Sequence, residues 1–146
     1  GFVGATKWLV RLTATTYARD AAYWTRRDWA TDAPVKTQSR IDTPKAFATV
    51  ASGPLRIGGV AWAQRRGITQ VEVRVDDGPW QPAELGPEAN VDYWRQWYHD
   101  VELAEPGRHD IEIRATDGTG EVQTAERTPP FPDGASGRAS VVVRVE

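Results

Sequence analysis

The stretch TQVEVRVDDGPWQPAEL, residues 69–85, carries the pattern that decides the fold. In its first part three valines alternate with a glutamate and an arginine (VEVRV, residues 71–75), which is the two-residue period of a strand with one apolar and one polar face. The residues DDGP at 76–79 favour a tight turn, because glycine and aspartate tolerate positive φ. Residues 80–85 then predict the return strand of an antiparallel hairpin.

The same pattern of strands and turns continues on both sides of this hairpin. Further strands are predicted at residues 55–63, 91–103, 111–115, 121–124 and 140–145. The pair Gly58-Gly59 inside the first of these indicates a bulge or a closely packed neighbour. No segment shows a convincing helical period. Short strands at regular spacing therefore predict an all-β protein, an immunoglobulin-like antiparallel β-sandwich of the E-set type.

The N-terminal part of the chain is less regular. We place an irregular lead-in and linker at residues 1–35 and the sandwich at residues 36–146. Within the lead-in, residues 8–15 alternate like a strand, and the polar and aromatic segment YWTRRDW follows at residues 23–29. We expect the lead-in to pack on a neighbouring surface, because it has too little regular pattern to form a domain of its own.

The composition bounds the class of protein. The 146 residues are 40% hydrophobic and carry a net charge of −2, as in one globular domain with a core of its own. This charge gives no indication of nucleic-acid binding. No apolar run reaches the roughly 20 residues of a membrane span, so we expect no membrane contact within this chain. The chain has no methionine, even at position 1, and we expect it to be part of a longer protein.

Residue types that usually carry catalysis are sparse. His99 and His109 lack metal-binding spacing, and we interpret them as surface or strand-end histidines. Asp76, Asp77 and Asp117 lie near glycines, where turns place aspartates. There is no cysteine for a thiolate site and no GxSxG motif for a serine nucleophile. We therefore predict no catalytic residue and no metal ligand, and a small autonomous hydrolase is the least favoured interpretation.

Seven tryptophans are the unusual feature of the composition. Trp94 and Trp97 lie three residues apart, so in a regular strand they point to opposite faces and one of them belongs on an outer surface. A sandwich core needs one or two tryptophans, and the surplus suits binding to another surface. One interpretation is a free-standing immunoglobulin-like module that binds carbohydrate or protein through a row of exposed, coplanar rings.

A set of short motifs points to a second interpretation. In chain order they are GATKWL (4–9), YWTRRDW (23–29), QSRI (38–41), GGVAW (58–62), VEVRVDDGPW (71–80), WRQW (94–97) and RATD (114–117), with Gln123 after them. Each motif alone is weakly specific. The ordered set resembles the sulfite oxidase family of molybdopterin oxidoreductases, and the resemblance covers essentially the whole chain.

The resemblance implies that this chain is the C-terminal dimerisation and support domain of a bacterial enzyme. The parent would be a molybdopterin-dependent oxidoreductase, and this chain alone would not be an enzyme. The molybdenum cofactor would be bound by an upstream domain of the same polypeptide, with Lys7 near the pterin phosphate. The sandwich would form a homodimer contact. Membrane-associated bacterial relatives imply a location on the extracytoplasmic face of the membrane.

One segment departs from the family pattern. Sulfite oxidases have a tryptophan-asparagine-x-arginine-glycine stretch before the last strand, and its arginine enters the sulfite pocket. Here the matching residues 131–138 read FPDGASGR, so the arginine position is Asp133 or is missing, and Arg138 is out of register. The resemblance therefore does not extend to sulfite as the substrate.

Overall fold

A computed structural model describes residues 7–146, and within them nine strands form two sheets that pack face to face. The strands are β1 (Gln38–Thr43), β2 (Thr49–Val50), β3 (Gly53–Trp62), β4 (Ile68–Val75), β5 (Gln81–Pro82), β6 (Glu84–Leu85), β7 (Arg95–Leu103), β8 (Gly107–Asp117) and β9 (Ala139–Val145). One sheet has the order β1-β3-β7-β6 and the other β2-β9-β8-β4-β5. The pairings are antiparallel except that of β2 with β9. The predicted all-β, immunoglobulin-like sandwich is confirmed.

The alternating valines of β4 form part of the core. Val71 pairs with Ala115 of β8, and Val73 pairs with Ile113. All four side chains are 0–1% exposed. A slip of one residue would turn the valines to solvent, so the apolar pattern itself specifies this register.

The core lies between the two sheets and takes side chains from both. Its buried members are Ile57, Ala61, Ala63, Ile68, Val71, Val73, Trp97, Leu103, Ile111, Ile113, Ala115, Val143 and Val145. Burial of each large apolar side chain stabilises the fold by roughly 1.5–3 kcal/mol before the entropy of ordering is counted. One tryptophan of the WRQW motif is buried and the other lies at the surface, as predicted, since Trp97 is 3% exposed and Trp94 is 46% exposed.

The prediction that residues 80–85 form one return strand of a hairpin is wrong. The segment makes two short strands, and β5 pairs with β4 whereas β6 pairs with β7 of the other sheet. Between them the amide of Ala83 donates a hydrogen bond to the carbonyl oxygen of Val71 at 2.8 Å. The chain therefore crosses from one sheet to the other within this segment, which a local hairpin pattern does not reveal.

Three further sequence predictions are corrected. Residues 8–15 form no strand and are exposed, because no neighbouring strand meets their backbone. The strand predicted at residues 91–103 begins only at Arg95. Residues 121–124 contribute a single bridge between Thr116 and Val122 in place of a strand. In the described part of the lead-in, residues 7–35, a short 3-10 helix lies at Thr25–Arg27.

A histidine closes the turn after β4. The ring Nδ1 of His109 lies 2.8 Å from the carboxylate of Asp76, and its Nε2 lies 2.8 Å from the carbonyl oxygen of Glu105. Both ring nitrogens thus face acceptors, which favours the doubly protonated imidazolium. The Glu105 carbonyl, and then the Asp76 carboxylate, raise the pKa of His109 above its ordinary value.

This pair predicts a loss of stability as the pH rises above the ordinary histidine value of 6.5. Because the pKa of His109 is raised on folding, its contribution is complete below the unfolded value of 6.5 and is lost as the pH rises through the folded value. We expect the free energy of unfolding to fall over that range in urea titrations, and His109→Gln to remove the pH dependence. An unchanged pH dependence in the variant would show that another group titrates there.

Candidate functional site

The lead-in is attached to the sandwich by an aromatic cluster. The ring of Trp29 lies edge-on to Trp24 at 6.0 Å and to Phe131 at 5.6 Å between centroids. The amide of Ala30 donates to the carbonyl oxygen of Pro132 at 3.0 Å. Phe131 and Pro132 belong to the segment that the family resemblance associates with a substrate arginine. The lead-in and this segment therefore meet at one end of the sandwich.

A buried carboxylate organises the same end. Asp117 is 0% exposed, and its Oδ2 accepts hydrogen bonds from Arg66 Nε at 2.7 Å and Thr37 Oγ1 at 2.8 Å. Its Oδ1 accepts from the amide of Thr119 at 2.9 Å and that of Glu121 at 3.2 Å. Burial opposes ionisation, but the bonds from Thr119, Arg66 and Thr37 outweigh it and hold the pKa of Asp117 well below its usual range. The turn role predicted for Asp117 is present, and the buried ion pair adds to it.

Further polar contacts connect the start of the sandwich to its last strands. Arg66 Nη2 also donates to the carbonyl oxygen of Val35 at 3.2 Å. The side chain of Gln123 is buried, and its Oε1 accepts from Ser39 Oγ at 2.6 Å while its Nε2 donates to the carbonyl oxygen of Gly137 at 2.8 Å. The segment that leaves the lead-in is thus held by side chains that are distant in sequence.

A cavity of about 450 Å³ opens beside this junction. It is lined by residues 33–36 and 133–135 with Gln38 and Trp62. Lys36 Nζ lies 3.3 Å from the carboxylate of Asp133 and 2.7 Å from the carbonyl oxygen of Gly134. Asp133, one of the two alternatives for the family's arginine position, is therefore an ion-paired carboxylate.

Arg138 lies elsewhere, on the outer face of the five-stranded sheet. Its guanidinium is one of three that surround the ring of Trp80, at centroid distances of 4.8 Å for Arg74, 4.4 Å for Arg114 and 5.1 Å for Arg138. Arg114 makes two hydrogen bonds to Glu72, at 2.6 and 3.0 Å. Each of the three guanidinium groups has a glutamate within ion-pair distance and is partly covered by the indole ring.

The outer face of the four-stranded sheet is more open. Arg56 makes two hydrogen bonds of 2.6 Å to Asp100 on the neighbouring strand, and these side chains are 63% and 56% exposed. A groove of about 480 Å³ on this face is lined by Arg56, Gly58 and Tyr98 among others. At one end of the face, Trp62 and Trp94 are stacked on one another, 5.1 Å apart with planes 21° apart. These two rings cover each other and do not form the row that a sugar-stacking platform needs.

The residues singled out for chemistry are dispersed. His109 is held in the turn described above, and His99 Nδ1 lies 3.1 Å from the carbonyl oxygen of Pro82. Over residues 7–146 no group of three or more histidines, aspartates and glutamates is placed to hold a metal ion. Lys7 is exposed, and residues 4–6 of its motif lie outside the described residues. In the described part of the chain, no helix has the length and apolar character needed to cross a membrane.

Fold and contacts define the chain as an immunoglobulin-like β-sandwich with an N-terminal segment docked at one end. No protein-family profile matches it, and a comparison with curated proteins finds no match in sequence. Among solved structures it is similar to the sulfane dehydrogenase SoxCD from Paracoccus pantotrophus, with a TM-score of 0.61 and 25% identity over 76% of this chain. This chain spans 32% of the length of that protein.

A second similarity concerns the fold alone. The endo-β-1,4-mannanase from Thermotoga petrophila aligns with 77% of this chain and 20% of its own, with a TM-score of 0.52 and 10% identity. Sandwiches of this kind serve many unrelated functions.

Proposed function

We propose that this chain is the dimerisation and support domain of a molybdenum-cofactor oxidoreductase of the sulfite oxidase family. The observation that carries the proposal is the similarity to SoxCD, which extends over 76% of this chain but only 32% of that protein. SoxCD is a dehydrogenase, and dehydrogenases belong to the oxidoreductases, the class that the ordered motifs imply. A domain of this size within such a protein would support and pair larger catalytic parts.

The exposed apolar side chains of the lead-in are evidence for a neighbouring domain that covers them. Trp8, Val10, Leu12 and Tyr17 are 89–102% exposed, and Leu9 is 66% exposed. A cluster of exposed apolar residues usually marks a surface that another part of the protein covers. In the proposal this surface packs against the upstream molybdopterin domain of the same polypeptide.

The residues of this chain do not by themselves fit the molybdenum cofactor. The sequence has no cysteine, and Lys7 is the one residue that the family resemblance places near the pterin. We therefore assign cofactor binding to the upstream domain, where the cofactor would supply the redox chemistry. An exposed ammonium such as that of Lys7 suits a phosphate contact at the boundary between the two domains.

The junction also bears on the substrate. The arginine position of sulfite oxidases is either missing here or occupied by Asp133, which is paired with Lys36 at 3.3 Å. A carboxylate whose charge is balanced by a lysine does not offer the free guanidinium that binds a small oxyanion. We therefore propose a substrate other than sulfite.

Hydroxyl-radical footprinting tests the supporting role. We expect Trp8 and Tyr17 to be oxidised quickly in the isolated chain of residues 1–146 and at least several-fold more slowly in the intact protein. Trp97, which is 3% exposed, provides the buried reference in both samples. Equal oxidation of Trp8 and Tyr17 in the two proteins would mean that no neighbouring domain covers the lead-in, which would contradict the proposal.

A further inference from the structure

We propose that two copies of this chain meet through the outer face of the four-stranded sheet, with a two-fold axis running between β3 and β7. The inference depends on the dimerising role proposed above and adds the surface and the contacts. It starts from the register of the two central strands, which pairs Arg56 with Asp100 and Gly58 with Tyr98.

The outward direction of these side chains follows from the strand period. Gly59 and Trp97 pair with each other, and Trp97 is buried in the core. Their sequence neighbours Gly58 and Tyr98 therefore face outward, and so does the pair two residues further along. Tyr98 is 40% exposed, and the guanidinium of Arg56 lies 4.4 Å from the centre of its ring.

The two residues of each outward-facing pair are complementary in charge or in size. Arg56 carries a positive charge and Asp100 a negative one, while Gly58 has no side chain and Tyr98 has a large one. The proposed two-fold axis runs parallel to the strands, midway between β3 and β7. It lays β3 of one copy over β7 of the other, so that each residue faces the residue it pairs with in its own chain. Arg56 of each copy then meets Asp100 of the other, and each Tyr98 meets the groove at Gly58.

The rest of this face carries an ion pair on β1 and two exposed glutamates, Glu84 and Glu102. Arg40 Nε donates to Asp42 at 2.9 Å, and these side chains are 61% and 40% exposed. Of the charged side chains on the face, those of Arg40, Arg56 and Asp100 have more than half of their surface open to new partners.

The other sheet offers a poorer surface. There the ion pair of Arg114 and Glu72 is 24% and 15% exposed, and Arg138 is 20% exposed. Trp80 packs against the same guanidinium groups. These charged groups present much less surface to a second copy than Arg56 and Asp100, which are 63% and 56% exposed.

A charge-swap experiment on the intact protein tests the face. In the Arg56→Asp variant two aspartates would meet across the axis, and in the Asp100→Arg variant two arginines would meet. We expect each variant alone to dimerise roughly tenfold or more weakly than the parent in sedimentation experiments, because like charges oppose each other. Mixing the two variants should restore a dimer with one copy of each, detected by native mass spectrometry.

Restoration by mixing separates an interface from a folding defect. Each variant also loses its own cross-strand ion pair, but mixing cannot repair a defect inside a chain. Arg108→Asp is the matched control, since Arg108 is 70% exposed and paired with Asp110 on the other sheet. It should dimerise like the parent.

Three outcomes would overturn the inference. If both variants dimerise like the parent, the dimer uses another surface and the proposed function stands. If both are weakened and mixing restores nothing, the substitutions act through folding and this face is not the interface. If the intact parent protein is itself monomeric at tens of micromolar, the dimerising role fails together with the surface.

Discussion

Replacing Asp117 by alanine is expected to lower the free energy of unfolding by about 3 kcal/mol or more. The carboxylate is 0% exposed and accepts bonds from Arg66, Thr37, Thr119 and Glu121. Its removal leaves the Arg66 guanidinium, which is 27% exposed, without its charge partner. It also releases the segment that joins the lead-in to β1. Urea denaturation followed by tryptophan fluorescence measures the change.

Asp77→Ala is the control for this experiment, because Asp77 is exposed in the turn after β4. We expect it to change stability by less than about 0.5 kcal/mol. The pH dependence gives a second readout. Since the pKa of Asp117 is lowered on folding, its contribution is present above the ordinary value of 3.8 and is lost as the pH falls below it. Equal stability of the Asp117 and Asp77 variants at pH 7 would contradict the assigned role of the buried carboxylate.

Replacing Gly59 by alanine is expected to destabilise the fold by about 3 kcal/mol or more. A Cβ atom at this position would lie 1.9 Å from the carbonyl oxygen of Arg40 on β1. Backbone cannot move aside as a flexible side chain can, so β1 would have to separate from β3. The closely packed neighbour predicted from the pair Gly58-Gly59 is therefore β1, and that prediction is confirmed.

Gly58→Ala is the matched control for the previous substitution. Its Cβ would lie 3.3 Å from the carbonyl oxygen of Trp97, which small shifts can accommodate. We expect a loss of about 1 kcal/mol or less in thermal and urea unfolding at one protein concentration. Similar losses for the two alanine variants would show that β1 does not pack on β3 as closely as described.

The predictable part of the fold is the part with a strong local period. The valines of β4 predict their own burial, because only one register places all of them in the core. Residues 80–85 show the limit of this reasoning. Their pattern is that of a strand, yet whether they stay with β4 or cross to β7 depends on the opposite sheet, which lies beyond any local window.

The junction was predictable only in outline. Asp117 beside a glycine indicates a turn, and the structure shows that turn. Its other partners, Arg66 and Thr37, are 51 and 80 residues away in sequence, so no local spacing identifies them. Residues 8–15 alternate like a strand but form none, because an alternating pattern becomes a strand only when a neighbouring strand pairs with it. The division of the chain at residues 35 and 36 and the role of Lys7 stay predictions.

The central claim is that this chain supports a molybdenum-cofactor oxidoreductase, and the metal and pterin content of the intact protein tests it most directly. The protein would be purified from cells that make the cofactor, with molybdenum measured by mass spectrometry and oxidised pterin by fluorescence. We predict equimolar molybdenum and pterin in the intact protein. An intact, folded product with neither would contradict the account and favour a free-standing binding module.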